Sequence, residues 1–316
     1  MTAPPSRDER PSASIPAPNP RVASLVRIRI AFVLLCIIWS TTWSLIALSV
    51  HDLPPLTAAA TRVAVAFVAL ALFARSAARV EGGANPPLWL SLVMGCFNVA
   101  YSYGVIYTIE RDLPSGITAL LWGVFPLLML VSGTLFLGEK LRRVHVFGFV
   151  GGFLGLGLLF LFDLRERGAG SVGAAAVLLT SPLAGAITQT CVKRFGAGAS
   201  ATLLTRNALG IGAVLLTIAA LAFEDLSTAR WTTAAILATA YLAVVATALA
   251  FVLYYWILRH SSSVRLSTIS YITPVFALLI GSVWRDEPLA PSTIAGAVLV
   301  LGSVALSLRP DRAQTR

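Results

Sequence analysis

Apolar stretches follow one another along almost the whole chain. They fall at about Ile28 to Val50, Leu56 to Phe73, Leu88 to Tyr107, Ser115 to Leu137 and Val144 to Phe162, then at Val172 to Val192, Ala201 to Leu221, Thr232 to Leu258, Ser263 to Trp284 and Ile294 to Leu308. Each is close to the ~20 residues with which a helix crosses a hydrocarbon core. A lipid-facing backbone must satisfy its hydrogen bonds within the segment, and these runs are too long and too continuously apolar for barrel strands. The reading is an all-α integral membrane protein of ten transmembrane helices. Composition decides between the remaining classes: 57% of residues are hydrophobic and 12% charged, against about 25% charged in soluble domains. A disordered chain and a secreted disulfide scaffold are excluded. Residues 1–27, rich in Pro, Ser, Ala and Arg, read as a disordered cytoplasmic tail, and 309–316 as a second short one. Cys36, Cys96 and Cys191 sit inside apolar runs without metal-ligand spacing and read as small packing residues; no metal or cofactor is expected.

Net charge is +10, from 24 Lys and Arg against 14 Asp and Glu. In a soluble protein this would suggest nucleic acid, but here the positions of the charges decide. With the N-terminus inside, cytoplasmic segments hold Arg7, Arg10, Arg21, Arg27, Arg29, Arg75, Arg79, Lys140, Arg142, Arg143, Lys193, Arg194, Arg259, Arg265, Arg309, Arg312 and Arg316. The opposite loops hold Arg111, Arg165, Arg167, Arg230 and Arg285. Seventeen against five places both termini in the cytoplasm, with no nucleic-acid partner.

The halves repeat. At a shift of 148 residues Tyr107 meets Tyr255, Arg111 meets Arg259, Ser115 meets Ser263, Pro126 meets Pro274, Gly133 meets Gly281, Glu139 meets Glu287 and Gly148 meets Gly296. A shift of 144 brings Thr61-Arg62 onto Thr205-Arg206. Helices 1 to 5 (residues 28–163) are thus repeated as 6 to 10 (171–308). Five is odd, so the second copy is inverted in the membrane, and a site between the repeats opens to either side in turn.

These residues resemble the EamA family of the drug/metabolite transporter superfamily, over roughly Ile28 to Leu308. The likeness is carried by IIWSTTWSLIAL, LPPLTAAATR, FPLLMLVSGTLFLGEKL and HVFGFVGGFLGLGLLF in the first half, and by ATALAFVLYYWILRHSSS and SYITPVFALLIGSVWRDEPLAPSTIAGAVLVLGSVAL in the second. Ser40 follows Trp39 where the family often has glycine, and Arg285-Asp286-Glu287 replaces Leu-Gly-Glu. The resemblance implies an inner-membrane carrier, commonly an exporter of amino acids or other small metabolites, with its cavity between the repeats.

Polar and aromatic residues inside the spans concentrate in helices 1, 3, 4, 6, 8 and 9. The substrate-binding candidates are Trp39, Trp43, Asn98, Tyr101, Trp122, Gln189, Tyr255 and Tyr271. Asn98 and Gln189 are costly against lipid and must face protein or a wet cavity. Trp39 and Trp43, one helical turn apart, share a face. For any one aromatic, ordinary helix packing is the competing reading. Pro126 and Pro274 lie mid-helix and each removes a backbone donor, making a hinge or a packing kink. Arg62 and Arg206 are roughly 10 Å inside the membrane at ~1.5 Å per residue. Each either attracts a substrate carboxylate or ties helices together. Glu139 and Glu287 stand ahead of helices 5 and 10, where a carboxylate complements the following helix dipole. No Asp, Glu or His lies in the middle third of any span, which argues against ion coupling through a carboxylate at mid-depth. Gly148, Gly151, Gly152, Gly155 and Gly157 give helix 5 a small-residue face suited to packing within the bundle or to a homodimer. An integral-membrane enzyme needs a cluster of acids, bases or nucleophiles; His51, His145 and His260 lie in separate loops, so no catalytic residue is assigned. A non-transporting membrane subunit is the third reading.

Overall fold

A computed structural model describes residues 20–138, 169–251 and 269–307 except 288, with scattered positions at 146–148, 150–152, 154, 155, 158, 253, 254 and 257. Among the described residues the secondary structure is helical apart from one isolated parallel bridge between Ala84 and Ala199. In chain order the helices are α1 (Pro20–Asp52), α2 (Pro55–Glu81), α3 (Leu88–Ile109) and α4 (Ser115–Leu137). Helical positions at 146–148 and 150–152 belong to α5. There follow α6 (Ala169–Phe195), α7 (Ala201–Phe223), α8 (Thr233–Leu249), α9 (Ile269–Arg285) and α10 (Pro291–Ser307). Six of them, α1 to α4, α6 and α7, are long and apolar enough to cross a bilayer, and α8 to α10 are shorter apolar helices. The chain is a multi-pass membrane protein. Leu72, Phe73, Phe223 and Val283 are exposed, as apolar side chains facing lipid would be.

The first helix starts at Pro20, ahead of the expected Ile28. Prolines open several others: Pro55, Pro126 and Pro291 occupy first-turn positions, where the missing N–H costs nothing.

Helices α2 and α7 form the tightest pair, antiparallel and stapled at both ends. Glu224, just past α7, accepts the Leu56 N–H (2.7 Å), the Thr57 N–H (2.8 Å) and the Thr57 hydroxyl (2.8 Å) at the start of α2. Glu81, at the end of α2, accepts the Ser200 hydroxyl (2.7 Å) and the Ala201 and Thr202 N–H groups (2.9 and 3.1 Å) at the start of α7. Each carboxylate satisfies the orphan amides of the other helix's first turn and complements its positive dipole end. Glu224 stands within one residue of where the 144-residue shift places Glu81. Burial by itself would raise the Glu81 pKa, but its hydrogen bonds from Ser200, Thr202 and Ala201 prevail and hold it below the ordinary value of 4.5.

The α3 and α8 helices each contain a π-helical stretch, at Met94–Tyr101 and Val244–Leu249. These overlap at the 148-residue shift, so the repeat extends to the irregularity of the backbone. Gly152 and Gly155 of helix 5 pack inside the chain: a Cβ added at Gly155 would come within 2.9 Å of Val300 and 3.0 Å of Leu299 in α10, and one at Gly152 within 2.5 Å of Leu127 in α4.

Candidate functional site

Around the interior, α1 lies against α8 and α9, α4 against α9 and α6, and α3 against α6, while α2 and α7 close the ring between α3 and α8. The polar residues of α1, α3, α4, α6 and α8 meet here. Trp39 lies against Tyr254 of α8, ring centroids 5.7 Å apart, and Trp43 one turn later lies against Trp122 of α4 at 6.4 Å. Trp122 stacks on Phe125 (5.4 Å) and donates its indole N–H to the Ser181 hydroxyl of α6 (3.2 Å). Gly185, one turn beyond Ser181, makes room for the group. A Cβ added there would lie 3.3 Å from Asn98 Oδ1, 3.4 Å from Phe125 and 3.7 Å from Trp122. Asn98 of α3 therefore points at the same spot as the two aromatic rings of α4. Gln189 follows Gly185 by one more turn on that face of α6 and is half-buried. The arrangement is an aromatic wall with a carboxamide at its edge and a second one turn away, suited to an amphipathic solute.

Five sequence candidates thus lie together or one turn apart: Trp39, Trp43, Asn98, Trp122 and Gln189. Tyr101 lies elsewhere, 43% exposed and donating to Thr180 (2.7 Å). It borders an open apolar groove of about 380 Å³ with Leu56, Thr108, Val177 and Leu215. Tyr255 and the Tyr271 side chain lie outside the described residues. Ser181, Gly185 and Phe125 are residues that sequence reasoning misses, because a serine, a glycine and a phenylalanine inside an apolar run carry no signal by themselves; Tyr254, beside Tyr255 in the sequence, carries an aromatic signal.

The two prolines differ. At Pro126 helix α4 is interrupted between Ser115–Trp122 and Phe125–Leu137, with Gly123 and Val124 forming a turn. At Pro274 helix α9 continues through. The two sites nevertheless touch: a Cβ added at Gly123 would lie 3.3 Å from Pro274 Cγ and 2.9 Å from the Leu120 carbonyl oxygen.

Arg62 is 4% exposed and donates to the Thr247 hydroxyl in the π-helical stretch of α8 (3.1 Å) and to Tyr107 of α3 (3.3 Å). Its guanidinium also lies 4.8 Å from the Tyr103 ring centroid. No carboxylate pairs with it among the described residues. Arg206 donates twice to Asn207 Oδ1 (3.1 and 2.7 Å), and Asn207 donates to Ser91 of α3 (3.3 Å). In each repeat the arginine's neighbourhood links one member of the α2–α7 pair to the helix carrying a π-helical stretch.

At the end of the bundle that carries Asp52, Glu287 corrects its expected role. Among the described residues it makes no hydrogen bond to the helix that follows it. Its carboxylate accepts the Ser115 N–H (2.9 Å), the Ser115 hydroxyl (2.7 Å) and the Gly116 N–H (3.1 Å), capping α4 of the other repeat. Two features turn it there: Asp286 at φ 54° reverses the chain, and Gly281 leaves the carboxylate a space that a Cβ would occupy. Glu139 lies outside the described residues. Arg285 approaches Glu287 at 3.4 Å, and the Ser44 hydroxyl of α1 lies 3.4 Å from that of Ser115. Arg111 donates to the Val50 and Leu53 carbonyls (3.2 and 3.0 Å), fastening the α3–α4 connection over the α1–α2 connection.

A model of the EamA-like transporter family matches residues 27–161 and 172–309. The uncharacterized transporter YvbV of Bacillus subtilis is 25% identical over 283 residues, covering 89% of this chain and 91% of its own. The uncharacterized inner membrane transporter YedA of Escherichia coli K12 is 28% identical over 279 residues, covering 87% and 88%. Protein PecM of Dickeya dadantii is 26% identical over 276 residues, covering 84% and 87%. A solved crystal structure shares the fold with a TM-score of 0.62 at 17% identity, covering 89% of this chain and 96% of that one.

Proposed function

The chain belongs to the EamA-like transporter family, and from that premise we propose that it is an inner-membrane carrier which exports a small metabolite, an amino acid or similar solute, by alternating access. Ten crossings in two inverted repeats, with both termini cytoplasmic, are the architecture of this reading. The observation that carries it is the convergence of Trp43, Asn98, Trp122 and Gly185 from four helices on one spot inside the bundle. Helices 1, 3, 4, 6, 8 and 9 line the path, with Gln189 one turn from the aromatic wall. The turn at Gly123, braced on Pro274, is the hinge. Arg62 and Arg206 hold the α2–α7 pair to the helices that move against it.

The test starts from growth rescue by overexpression against a panel of toxic amino acids and metabolites, followed by flux of the rescuing solute in liposomes holding the purified protein. Trp122→Phe and Asn98→Ala are expected to cut flux by about tenfold or more while the protein keeps its elution profile. Unchanged flux in both variants would remove this spot from the path. No flux of any rescuing solute through the purified protein would leave a non-transporting subunit instead.

A further inference from the structure

Glu110 closes α3 one residue beyond the span Leu88–Ile109. It is 4% exposed, and among the described residues neither carboxyl oxygen meets a hydrogen-bond donor in good geometry. The Thr118 hydroxyl of α4 lies beside it and favours the charged form, while also reaching the Pro114 carbonyl (3.2 Å). The ionisable groups acting on it are Glu287 from the connection after α9, Arg285 at the end of α9 and Tyr107 on its own helix. Glu287 is already committed to capping α4, and Arg285 leans on Glu287. An ionised carboxylate enclosed in this way, with a second carboxylate nearby, is costly. Burial, reinforced by Glu287, accordingly raises its pKa well above the ordinary 4.5.

The enclosure depends on how this end of the molecule is fastened. The elements around Glu110 are the start of α4 and the connection after α9, joined to each other by the Glu287 cap. Parting them admits water to the carboxyl. We propose that Glu110 is a proton-binding site that couples protonation to the opening of this end of the carrier. The carboxylate takes a proton from water as the end closes, forming one O–H bond, and returns it to water as the end opens. Because the closed state holds the proton more tightly than the open one, acid favours closure, and rising pH through the raised pKa favours opening. This deepens the carrier reading by assigning a second ligand, the proton, to a peripheral acid rather than to one at mid-depth.

Neither test needs a transport substrate, so failure here and failure of the carrier reading are separable. In lipid-reconstituted full-length protein at neutral pH, the infrared spectrum should show a protonated-carboxyl C=O band that is missing in Glu110→Gln. Absence of that difference overturns the proposal. On a background with the three native cysteines replaced, spin labels at Asp112→Cys and Val283→Cys report the separation of the α3–α4 connection from the end of α9. Between about pH 5 and about pH 9 the distance should lengthen by about 5 Å, and Glu110→Gln should hold the short distance throughout. A pH response that survives in Glu110→Gln, or one lost only in Glu287→Gln, overturns it.

Discussion

Arg62 brings a permanent charge into the apolar interior and finds hydroxyls and ring faces there in place of an acid. Its partners belong to α3 and α8, so its removal loosens three helices at once. Arg62→Met keeps much of the volume and should cost about 2 kcal/mol through two lost hydrogen bonds and the ring contact. Arg62→Lys keeps the charge without the planar fork and should cost about half of that. Unfolding by rising SDS in mild detergent checks both. At this scale the sequence is a partial guide. Asn98, Trp43 and Trp122 stand out because an amide or indole inside an apolar run must find a reason to be there. Gly185 and Ser181 do not stand out, because their role is the room and the acceptor they offer to side chains of other helices. Glu110 reads from sequence as a loop carboxylate, since its burial is produced by α4 and the connection after α9, more distant parts of the chain.

At the scale of elements the repeat predicts more sameness than the structure has. Pro126 interrupts its helix and Pro274 does not, although each stands at the same place in its repeat. The difference lies in what precedes them. Gly123 readily leaves the helix and fits a turn against Pro274, whereas Thr273 and Ile272 continue the α9 helix. The π-helical stretches of α3 and α8 have no sequence signature, yet they occur in both repeats. The reciprocal caps of α2 and α7 give a pH prediction. The Glu81 carboxyl has a lower pKa folded than unfolded, so its contribution is complete above the ordinary 4.5 and is lost as pH falls through the depressed folded value. Wild type should melt above Glu81→Gln at neutral pH, and the gap should close on acidification. A gap that is constant with pH would mean that the hydrogen-bonding geometry contributes and the charge does not.

For the whole molecule the charge distribution is the strongest guide, because lipid sorts charges by side whatever the packing inside. Among the described residues Arg230 and Arg111 fall at the end that carries Asp52, and Arg75, Arg79, Lys193 and Arg194 fall at the closing ends of α2 and α6. A fluorescent protein fused after Arg316 should therefore be bright, and alkaline phosphatase fused there inactive. Activity after Arg230 and its loss after Lys193 would locate the opposite side. The reverse pattern would invert the direction assigned to every helix. The mutual caps of α2 and α7 also bear on synthesis. Leu56 waits for Glu224, 168 residues later, and Glu81 waits for Ala201, 120 residues later. At ribosomal rates of about 5–20 residues per second these delays are roughly 6 to 34 s. For that interval the first amides of α2 are left to interfacial water, and the pairing of α2 with α7 is set only once the second repeat has been made.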